Sequence, residues 1–346
     1  MRFVDELANG GLHTLFLAKT MNPTPETIRA SLEAAKVVAT KGYQREPARF
    51  HPAPPNPPDV AAEIVEARVL GKTSAFERIS WNSTYEPDTD IPGADHAKSN
   101  QTRAIANVLR GDPDKPWLVY THGFAMGEDR GALKWQRLQN ELGYNVILPV
   151  FPFHGGRALE GERSGVGLFD AHAGATLHAI ARGIEDDRAA VAWVRREIEK
   201  NGSAAPSAQK IVLLGDSLGG YRASMLSMFE ENAAVIAGIA ASDLSTVANR
   251  HEDAYPEYTH AFRSVLSLVS PFAFDTLTPR GNRYYYYGNA DAVVDPAHSI
   301  ALGRHLDAEE IPYDGGHIIG PGKRTVRERI RDVLEGVLAD TTTTPH

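Results

Sequence analysis

The sequence predicts an α/β protein in which helices cover both faces of a mostly parallel, doubly wound sheet. Short apolar runs of strand length, such as 117–121 and 145–150, alternate along the chain with stretches of helical periodicity. Glycine and polar residues follow several of these runs, at the edge where an open α/β sheet binds its ligands. Both observations place the chemistry of this fold at the carboxyl ends of its strands.

The composition excludes several classes of protein. The chain has 346 residues and a formal net charge of −8, so it lacks the basic face that nucleic acids require. No apolar run approaches the length of about 18 residues that predicts a transmembrane segment. The chain has no cysteine, and acidic residues precede the apolar patch at 12–18, so we expect a cytoplasmic protein. No His or Asp cluster has metal-ligand spacing, and no cofactor is expected.

Residues 1–59 are expected to form a helical extension and a proline-rich connector, separate from a catalytic domain at 60–340. Thr24 and Pro25 suit the start of a helix, and Ile28 and Leu32 lie on one face of it. That face could dock on the main domain, pair with a second copy in a homodimer, or contact lipid. Docking is the favoured interpretation. The prolines between 52 and 58 then predict a stiff connector.

Periodicity predicts the elements of the catalytic domain. An antiparallel pair at the sheet edge is expected first, at 64–70 and 76–81. Further strands are predicted at 117–121, 145–150, 210–214, 234–240, 283–287 and 310–313. Helices are predicted at 135–142, at 184–198, directly after 217, after Pro296, and at 326–337, with a polar tail at 341–344.

The stretch Lys210–Gly220 organises the rest of the chain. A buried strand pattern ends in Gly215-Asp216-Ser217-Leu218-Gly219, and apolar residues at helical spacing follow it. G-x-S-x-G between a strand and a helix is typical of a nucleophile elbow, in which the turn holds the serine in a strained backbone conformation. The glycines leave room for the crossing strand and helix.

Candidates for the acid and the base follow later strands in the order that such an elbow requires. Asp291 ends the turn after the strand at 283–287, and His317 follows the strand at 310–313. Asp295 is a second candidate acid, although Pro296 after it favours a helix cap. Asp314 is expected to be a turn residue. The favoured order is therefore Ser217, Asp291, His317.

Together these motifs resemble the α/β-hydrolase superfamily over about residues 64 to 337. The matching motifs are His122–Gly123, Gly215–Gly220, Gly288–Asp291 and Gly315–His317. The resemblance implies an α/β-hydrolase fold with a helical cap and serine nucleophile chemistry. The stretch Pro152–Arg157 and the Gly-Gly-His ending are also similar to the α/β-hydrolase domain-containing-18 branch. The N-terminal extension departs from a minimal hydrolase.

The chemistry of acyl transfer assigns a role to each of these residues. Ser217 is the predicted nucleophile, and His317 takes its proton and passes it to the leaving group. Asp291 fixes the tautomer of the imidazole. The backbone N–H groups of Leu218 and Phe124 are the predicted oxyanion hole.

Three further polar side chains follow strand ends. His122 is more often a buried structural residue in such a position than a proton carrier. His154 and Arg157 either contact the substrate or brace their own loop, and the sequence leaves both interpretations open.

A cap over the site is predicted at 242–279, which is longer than a connection between two strands needs. Its apolar helical positions include Phe262 and Leu266, which would contact the acyl group if this segment covers the site. The N-terminal helices are the other surface that could cover this patch. The glycine-rich stretch 154–183 is an alternative lid.

The expected function is hydrolysis of small carboxylic esters through an acyl-enzyme on Ser217. A peptidase, a thioesterase or an acyltransferase could share the same triad and differ only in the pocket walls. A non-catalytic ligand-binding protein on the same fold is the alternative from another class.

Overall fold

A nine-stranded sheet runs through the described part of the chain. The structure is a computed structural model that describes residues 20–52, 59–69, 72–95, 102–126, 135–136, 139–202, 206–318, 320 and 322–342. The strands are β1 (Ala61–Val69), β2 (Lys72–Asn82), β3 (Arg103–Leu109), β4 (Trp117–Thr121), β5 (Asn145–Val150), β6 (Ile211–Asp216), β7 (Ala234–Gly238), β8 (Arg283–Gly288) and β9 (Glu309–Tyr313). The helices are α1 (Pro25–Thr40), α2 (Ala173–Lys200), α3 (Leu218–Phe229), α4 (Pro256–Leu266), α5 (Pro296–Leu306) and α6 (Lys323–Thr342).

The strands lie in the order β1-β2-β3-β5-β4-β6-β7-β8-β9. Strands β4 to β9 run parallel to one another, whereas the pairs β1–β2, β2–β3 and β3–β5 are antiparallel. The predicted α/β fold class is therefore confirmed. Because the parallel strands end at the same edge, the loops after β4, β6, β7, β8 and β9 meet there.

Strand β3 is missing from the predicted set, which is an error of the sequence interpretation. It pairs antiparallel with β2 on one side and with β5 on the other, and every residue after Arg103 is buried. The buried Asn107 interrupts its apolar pattern. A polar residue in a central strand hides the strand from a reading based on hydrophobic runs.

The edge pair begins earlier and runs longer than its pattern indicates. β1 and β2 pair antiparallel from Ala61↔Ser80 to Val69↔Lys72. Leu70, the predicted end of the first strand, lies outside the described residues.

Two helical layers cover the sheet. On one face Trp117, Val119 and Leu213 pack with Trp193 of α2. On the other face Leu118 and Leu214 pack with side chains of α6. Neighbouring residues of one strand point to opposite faces, so a strand buried on both sides is continuously apolar.

Helix α1 begins as its sequence predicts. Thr24 caps it, with the Thr24 hydroxyl and the Thr27 side chain forming a reciprocal capping box. Its buried residues Ala34 and Val38 pack in the same core cluster as α4 and α2. Residues 1–19 of the predicted helical extension and residues 53–58 of the connector lie outside the described part, and the domain division at 59/60 stays a prediction.

For two predicted segments, the structure either differs from the prediction or describes only part of it. α6 continues to Thr342, so the first two residues of the predicted polar tail are helical, and residues 343–346 lie outside the described part. The predicted helix at 135–142 is helical at 135–136 and 139–142, and Leu138 is not described. None of the described helices is both long and apolar enough to cross a membrane.

Candidate active site

Ser217 occupies the sharp turn between β6 and α3. Its φ of 60° and ψ of −120° lie where non-glycine residues are rare. Backbone hydrogen bonds hold this conformation: the Ser217 N–H donates to the Gly238 carbonyl over 2.8 Å, and its own carbonyl accepts the Tyr221 N–H over 3.2 Å. A strained serine that its surroundings fix in this way is a mark of a functional turn.

The glycines of the turn are required by the neighbouring strand. A Cβ at Gly219 would overlap the Thr121 carbonyl oxygen, and one at Gly215 would overlap the Gly219 carbonyl. The Thr121 hydroxyl donates a hydrogen bond to the Gly219 carbonyl over 2.7 Å. Strand β4 and helix α3 can approach this closely only because both positions lack a side chain.

Asp216, directly before the serine, is held by two tyrosines that the sequence interpretation did not single out. The Tyr120 hydroxyl donates to Asp216 Oδ2 over 2.9 Å, and the Tyr286 hydroxyl donates to Oδ1. Burial and the nearby Asp216 charge raise the pKa of Tyr120 well above its usual value, so it stays a donor. The positions of Tyr120, Asp216 and Tyr286 in the sequence give no sign that the tyrosines bind this aspartate. The three side chains tie the turn to β4 and β8.

The predicted acid and base lie in contact. His317 Nδ1 is 2.7 Å from Asp291 Oδ2, and the Asp291 side chain is 1% exposed against 13% for His317. The other oxygen of Asp291 accepts the N–H groups of Val293 and Val294, each over 2.9 Å. A carboxylate can only accept, so the contact places a proton on Nδ1 of His317 and leaves the lone pair on Nε2.

The competing acids are engaged elsewhere. Asp295 is the N-cap of α5, and its Oδ1 accepts the Ala297 N–H over 2.9 Å. Asp314 is exposed in the bend that follows β9. Of the three candidate carboxylates, Asp291 is the one in contact with His317.

A cavity of about 320 Å³ lies over Ser217. Its walls are mostly apolar and come from the turn after β6 and from the loops after β4, β5, β7 and β8. They consist of Phe124, Phe169, Ser217, Leu218, Ala241, Asp243, Leu244, Thr246, Val247, Arg250, Val293, Val294, Asp295 and His298. Val293 and Val294 also bind Asp291, so the Asp291–His317 pair is anchored to a wall of this cavity.

Both predicted oxyanion residues face this cavity. Leu218 is the first residue of α3, where a helical N–H has no partner four residues back and the helix dipole favours negative charge. Phe124 follows Gly123, whose Cβ position lies 3.6 Å from the Cβ of Ser217. The loop after β4 therefore leaves room for no more than one added carbon between Gly123 and the serine.

His122 is fixed by backbone groups through both ring nitrogens. Nδ1 lies 2.9 Å from the Gly123 carbonyl, and Nε2 accepts the Phe151 N–H over 3.0 Å. Burial and the charge of Arg222 lower its pKa well below the usual value. His122 is thus a neutral residue that holds the loop carrying Phe124.

Arg222 supports the same loop from α3. Its guanidinium forms a two-pronged ion pair with Asp187, with N–O distances of 2.6 and 2.8 Å. It also donates to the carbonyls of Pro149, over 3.0 Å, and His122, over 3.4 Å. Its partner Asp187 lies on α2, and no sequence pattern indicates that these two residues pair. The ion pair ties α3 to α2, and the two carbonyl contacts tie it to the end of β5 and to the loop after β4.

His154 and Arg157 are buried and do not belong to the cavity lining. His154 Nδ1 lies 2.8 Å from the Pro152 carbonyl, and burial lowers its pKa to about 3. Arg157 binds Asp186 over 2.8 Å and the Val150 carbonyl over 3.1 Å. In this structure they brace their loop, so substrate contact by either residue has no support in the cavity.

The predicted cap contributes to the cavity through its first part alone. The 3₁₀ segment Leu244–His251 supplies four of the lining residues, including Val247 and Arg250. Phe262 and Leu266 of α4 are instead buried in the core cluster that also contains side chains of α1 and α2. The apolar patch is therefore covered by the N-terminal segment and the body, and substrate contact by Phe262 and Leu266 also lacks support.

Among the described residues, no group of three or more His, Asp or Glu side chains is arranged to hold a metal ion. The chemistry that this site offers is that of a serine hydroxyl, an imidazole and a carboxylate.

Comparison with known proteins identifies relatives in one genus. The chain is 30% identical to the uncharacterized protein Rv2627c of Mycobacterium tuberculosis H37Rv over 323 residues, 89% of this chain and 75% of that protein. It is 30% identical to the uncharacterized protein MT2702 of M. tuberculosis CDC 1551 over 308 residues, 85% of this chain and 71% of that protein. No protein-family model matches the chain.

Among solved structures, the acetyl xylan esterase of Paenibacillus sp. R4 superposes with a TM-score of 0.50 at 14% identity. The superposition covers 84% of this chain and 92% of that enzyme. At this identity the likeness shows the fold, which is that of the α/β-hydrolases.

Proposed function

The chain belongs to the family of the mycobacterial proteins Rv2627c and MT2702, and we propose that it is a serine hydrolase that cleaves small carboxylic esters. One observation carries the proposal: Ser217, held at a φ of 60°, faces a cavity whose wall anchors the Asp291–His317 pair. A serine hydroxyl is a weak nucleophile that needs such a base.

The reaction proceeds in two halves. His317 Nε2 takes the Ser217 proton while Oγ attacks the ester carbonyl, and the N–H groups of Leu218 and Phe124 stabilise the oxyanion. His317 then passes the proton to the departing alcohol, which leaves an acyl group on Ser217. Water, activated by His317, attacks this acyl-enzyme and releases the acid. Asp291 stabilises the imidazolium that forms in each half.

The size of the cavity favours a small substrate. Its volume of about 320 Å³ is at the lower end of the range for ligand pockets, which is roughly 300–1,000 Å³. The structural relative named above is an acetyl xylan esterase, which is consistent with a short acyl group. Peptidase, thioesterase and acyltransferase activities use the same triad, and no feature of the cavity favours one of them. A cytoplasmic location and a homodimer stay predictions.

A panel of p-nitrophenyl esters of increasing acyl length tests the proposal. We expect the wild-type protein to hydrolyse the short esters, and Ser217→Ala to lower kcat by about 10^6, as in other serine hydrolases. Ser224→Ala, which removes another buried serine hydroxyl of α3, is the matched control and should keep its activity. Equal activity of the Ser217→Ala variant and the wild type would contradict the proposal.

A further inference from the structure

Two neighbouring carbonyl groups of the N-terminal segment hold the two chain segments that wall the cavity. The Thr20 carbonyl accepts the Ala171 N–H over 2.8 Å, two residues after the cavity residue Phe169. The Met21 carbonyl accepts hydrogen bonds from Arg250 Nη2 over 3.1 Å and from His251 Nε2 over 2.7 Å. His251 Nε2 also lies 3.0 Å from Arg250 Nε. Because a carbonyl only accepts, the bond between His251 and Met21 is the one made by the tautomer that carries its proton on Nε2.

The segment from the cavity residue Phe169 to Ala173 is also held by hydrogen bonds from α1 and α4. The Ser31 hydroxyl of α1 donates to the Ala171 carbonyl over 3.4 Å and accepts the Ala173 N–H over 3.0 Å. The Tyr258 hydroxyl of α4 donates to the same Ala171 carbonyl over 2.9 Å. Both helices thus fix the segment that carries Phe169.

Met21 anchors this arrangement in the core. Its side chain is fully buried and belongs to one cluster with Phe169 and Leu244. Leu244 begins the 3₁₀ segment Leu244–His251, which forms the roof of the cavity. Ala248, on the same 3₁₀ segment as Leu244, is also fully buried in this cluster. The N-terminal segment therefore contacts the roof through side chains as well as through its carbonyl groups.

The chain that follows the 3₁₀ segment Leu244–His251 is tied at α4 and just after it by residues farther along the N-terminal segment. Gln44 Nε2 donates to the Ser264 hydroxyl over 2.6 Å, just before the end of α4. His51 Nε2 lies 2.8 Å from the Leu268 carbonyl. Residues 20–51 thus hold the span from 250 to 268 at both of its ends.

We infer that residues 20–51 are a structural part of the substrate site and that His251 is a positioning residue for its roof. The roof is a 3₁₀ segment, a geometry with weaker internal hydrogen bonds than an α-helix, so external ties set its place. His251 lies outside the cavity lining and acts through its bond to Met21 and through its neighbour Arg250. We therefore expect KM to depend on the bond between His251 and Met21, an expectation that rests on the proposed esterase function.

His251→Leu removes the bond to Met21 without altering a residue of the cavity. We expect KM for p-nitrophenyl esters to rise about 3- to 10-fold, the factor that one net hydrogen bond is worth, with kcat within about twofold of wild type. His251→Gln retains an N–H donor and should return KM towards the wild-type value. A purely structural role for His251 would leave KM unchanged.

His305→Leu is the matched control. It removes a histidine contact of similar length, between Nε2 and the Phe274 carbonyl at 2.8 Å, on an exposed residue away from the roof. Its KM should equal that of the wild type. If His251→Leu does not fold, Ser31→Ala tests the tie to Ala171 instead, with the same expected rise in KM.

Hydrogen exchange of the amides of residues 243–251 supplies a readout that does not depend on catalysis. Exchange there should be faster in His251→Leu than in wild type and unchanged in His305→Leu. An active wild type with equal KM in His251→Leu overturns the inference. A wild type without esterase activity contradicts the proposed function instead, and the inference is then decided by exchange, with unchanged rates in His251→Leu overturning it.

Discussion

His317 Nδ1 lies 2.7 Å from Asp291 Oδ2, although the two residues follow different strands of the sheet. The second oxygen of Asp291 is held by the N–H groups of Val293 and Val294, which also line the cavity over Ser217. The carboxylate is thus fixed on both sides, by the backbone and by the imidazole. Such a carboxylate holds the tautomer that leaves Nε2 of His317 able to accept a proton.

Asp291→Asn should lower kcat by about 10^4 because an amide at this position favours the wrong tautomer of His317. Asp295→Asn should keep kcat and change the free energy of unfolding by no more than a helix cap, about 1 kcal/mol, since Asp295 caps α5. Ester hydrolysis and urea denaturation of both variants measure the two effects. The opposite pattern would make Asp295 the acid.

Gly219→Ala should abolish activity or prevent folding, because the added Cβ would overlap the Thr121 carbonyl oxygen of β4. Gly336→Ala is the control, since nothing lies within 4 Å of a Cβ at Gly336 in α6. It should gain up to about 1 kcal/mol of stability from helix propensity. Thermal unfolding and ester hydrolysis of both variants measure these effects. An active, stable Gly219→Ala variant would show that the turn at Ser217 is less tightly packed than described.

Leu266→Ala and Val247→Phe test which residues belong to the core and which form the cavity wall. Leu266 is buried in the core cluster, so its loss should cost about 2–5 kcal/mol of stability and leave the preference for acyl length unchanged. Val247 lines the cavity, so the larger side chain should shift kcat/KM towards shorter esters by about 1–3 kcal/mol. An altered acyl preference in Leu266→Ala with full stability would return α4 to the role of a lid.

The strand, turn and helix around Ser217 could be predicted because their signals are local. Gly215 and Gly219 flank the serine at fixed spacing, and the buried strand and the helix follow directly from periodicity. The contact between Asp291 and His317 could be predicted since parallel strands end at one edge of the sheet, whereas their catalytic roles stay a prediction.

The remaining features depend on contacts between distant parts of the chain. The apolar face of Phe262 and Leu266 predicts burial but not that α1 and α2 take part in covering it. Arg222 and Asp187 lie on different helices, and the sequence pattern of neither helix reveals the ion pair. His154 and Arg157 follow a strand end, as Asp291 and His317 do, and only the packed loop shows that they brace it.

Stability should fall as the pH is lowered from about 7 to about 4. Burial lowers the pKa of His51 to about 4, whereas in the unfolded chain it is about 6.5. Between these values the unfolded state binds the proton and the folded state does not, so stability rises with pH across this window and levels off above it. Urea denaturation at a series of pH values measures the slope.

His122, His154 and His178 are also buried with lowered pKa values and add to this slope. His51→Gln tests the part that His51 contributes, because glutamine keeps an N–H donor for the Leu268 carbonyl but does not titrate. The variant should lose up to about 1.4 kcal/mol per pH unit of the slope, the contribution of one proton. A slope equal to that of the wild type would show that His51 does not contribute to it.

Labelling with a fluorophosphonate tests the central claim most directly, because this reagent forms a covalent bond with an activated serine. We predict one label per chain, mapped to Ser217 by peptide mass spectrometry, absent from Ser217→Ala and much slower in Asp291→Asn. A wild-type protein that stays unlabelled, or a label that persists in Ser217→Ala, would contradict the account and favour a ligand-binding protein on the same fold.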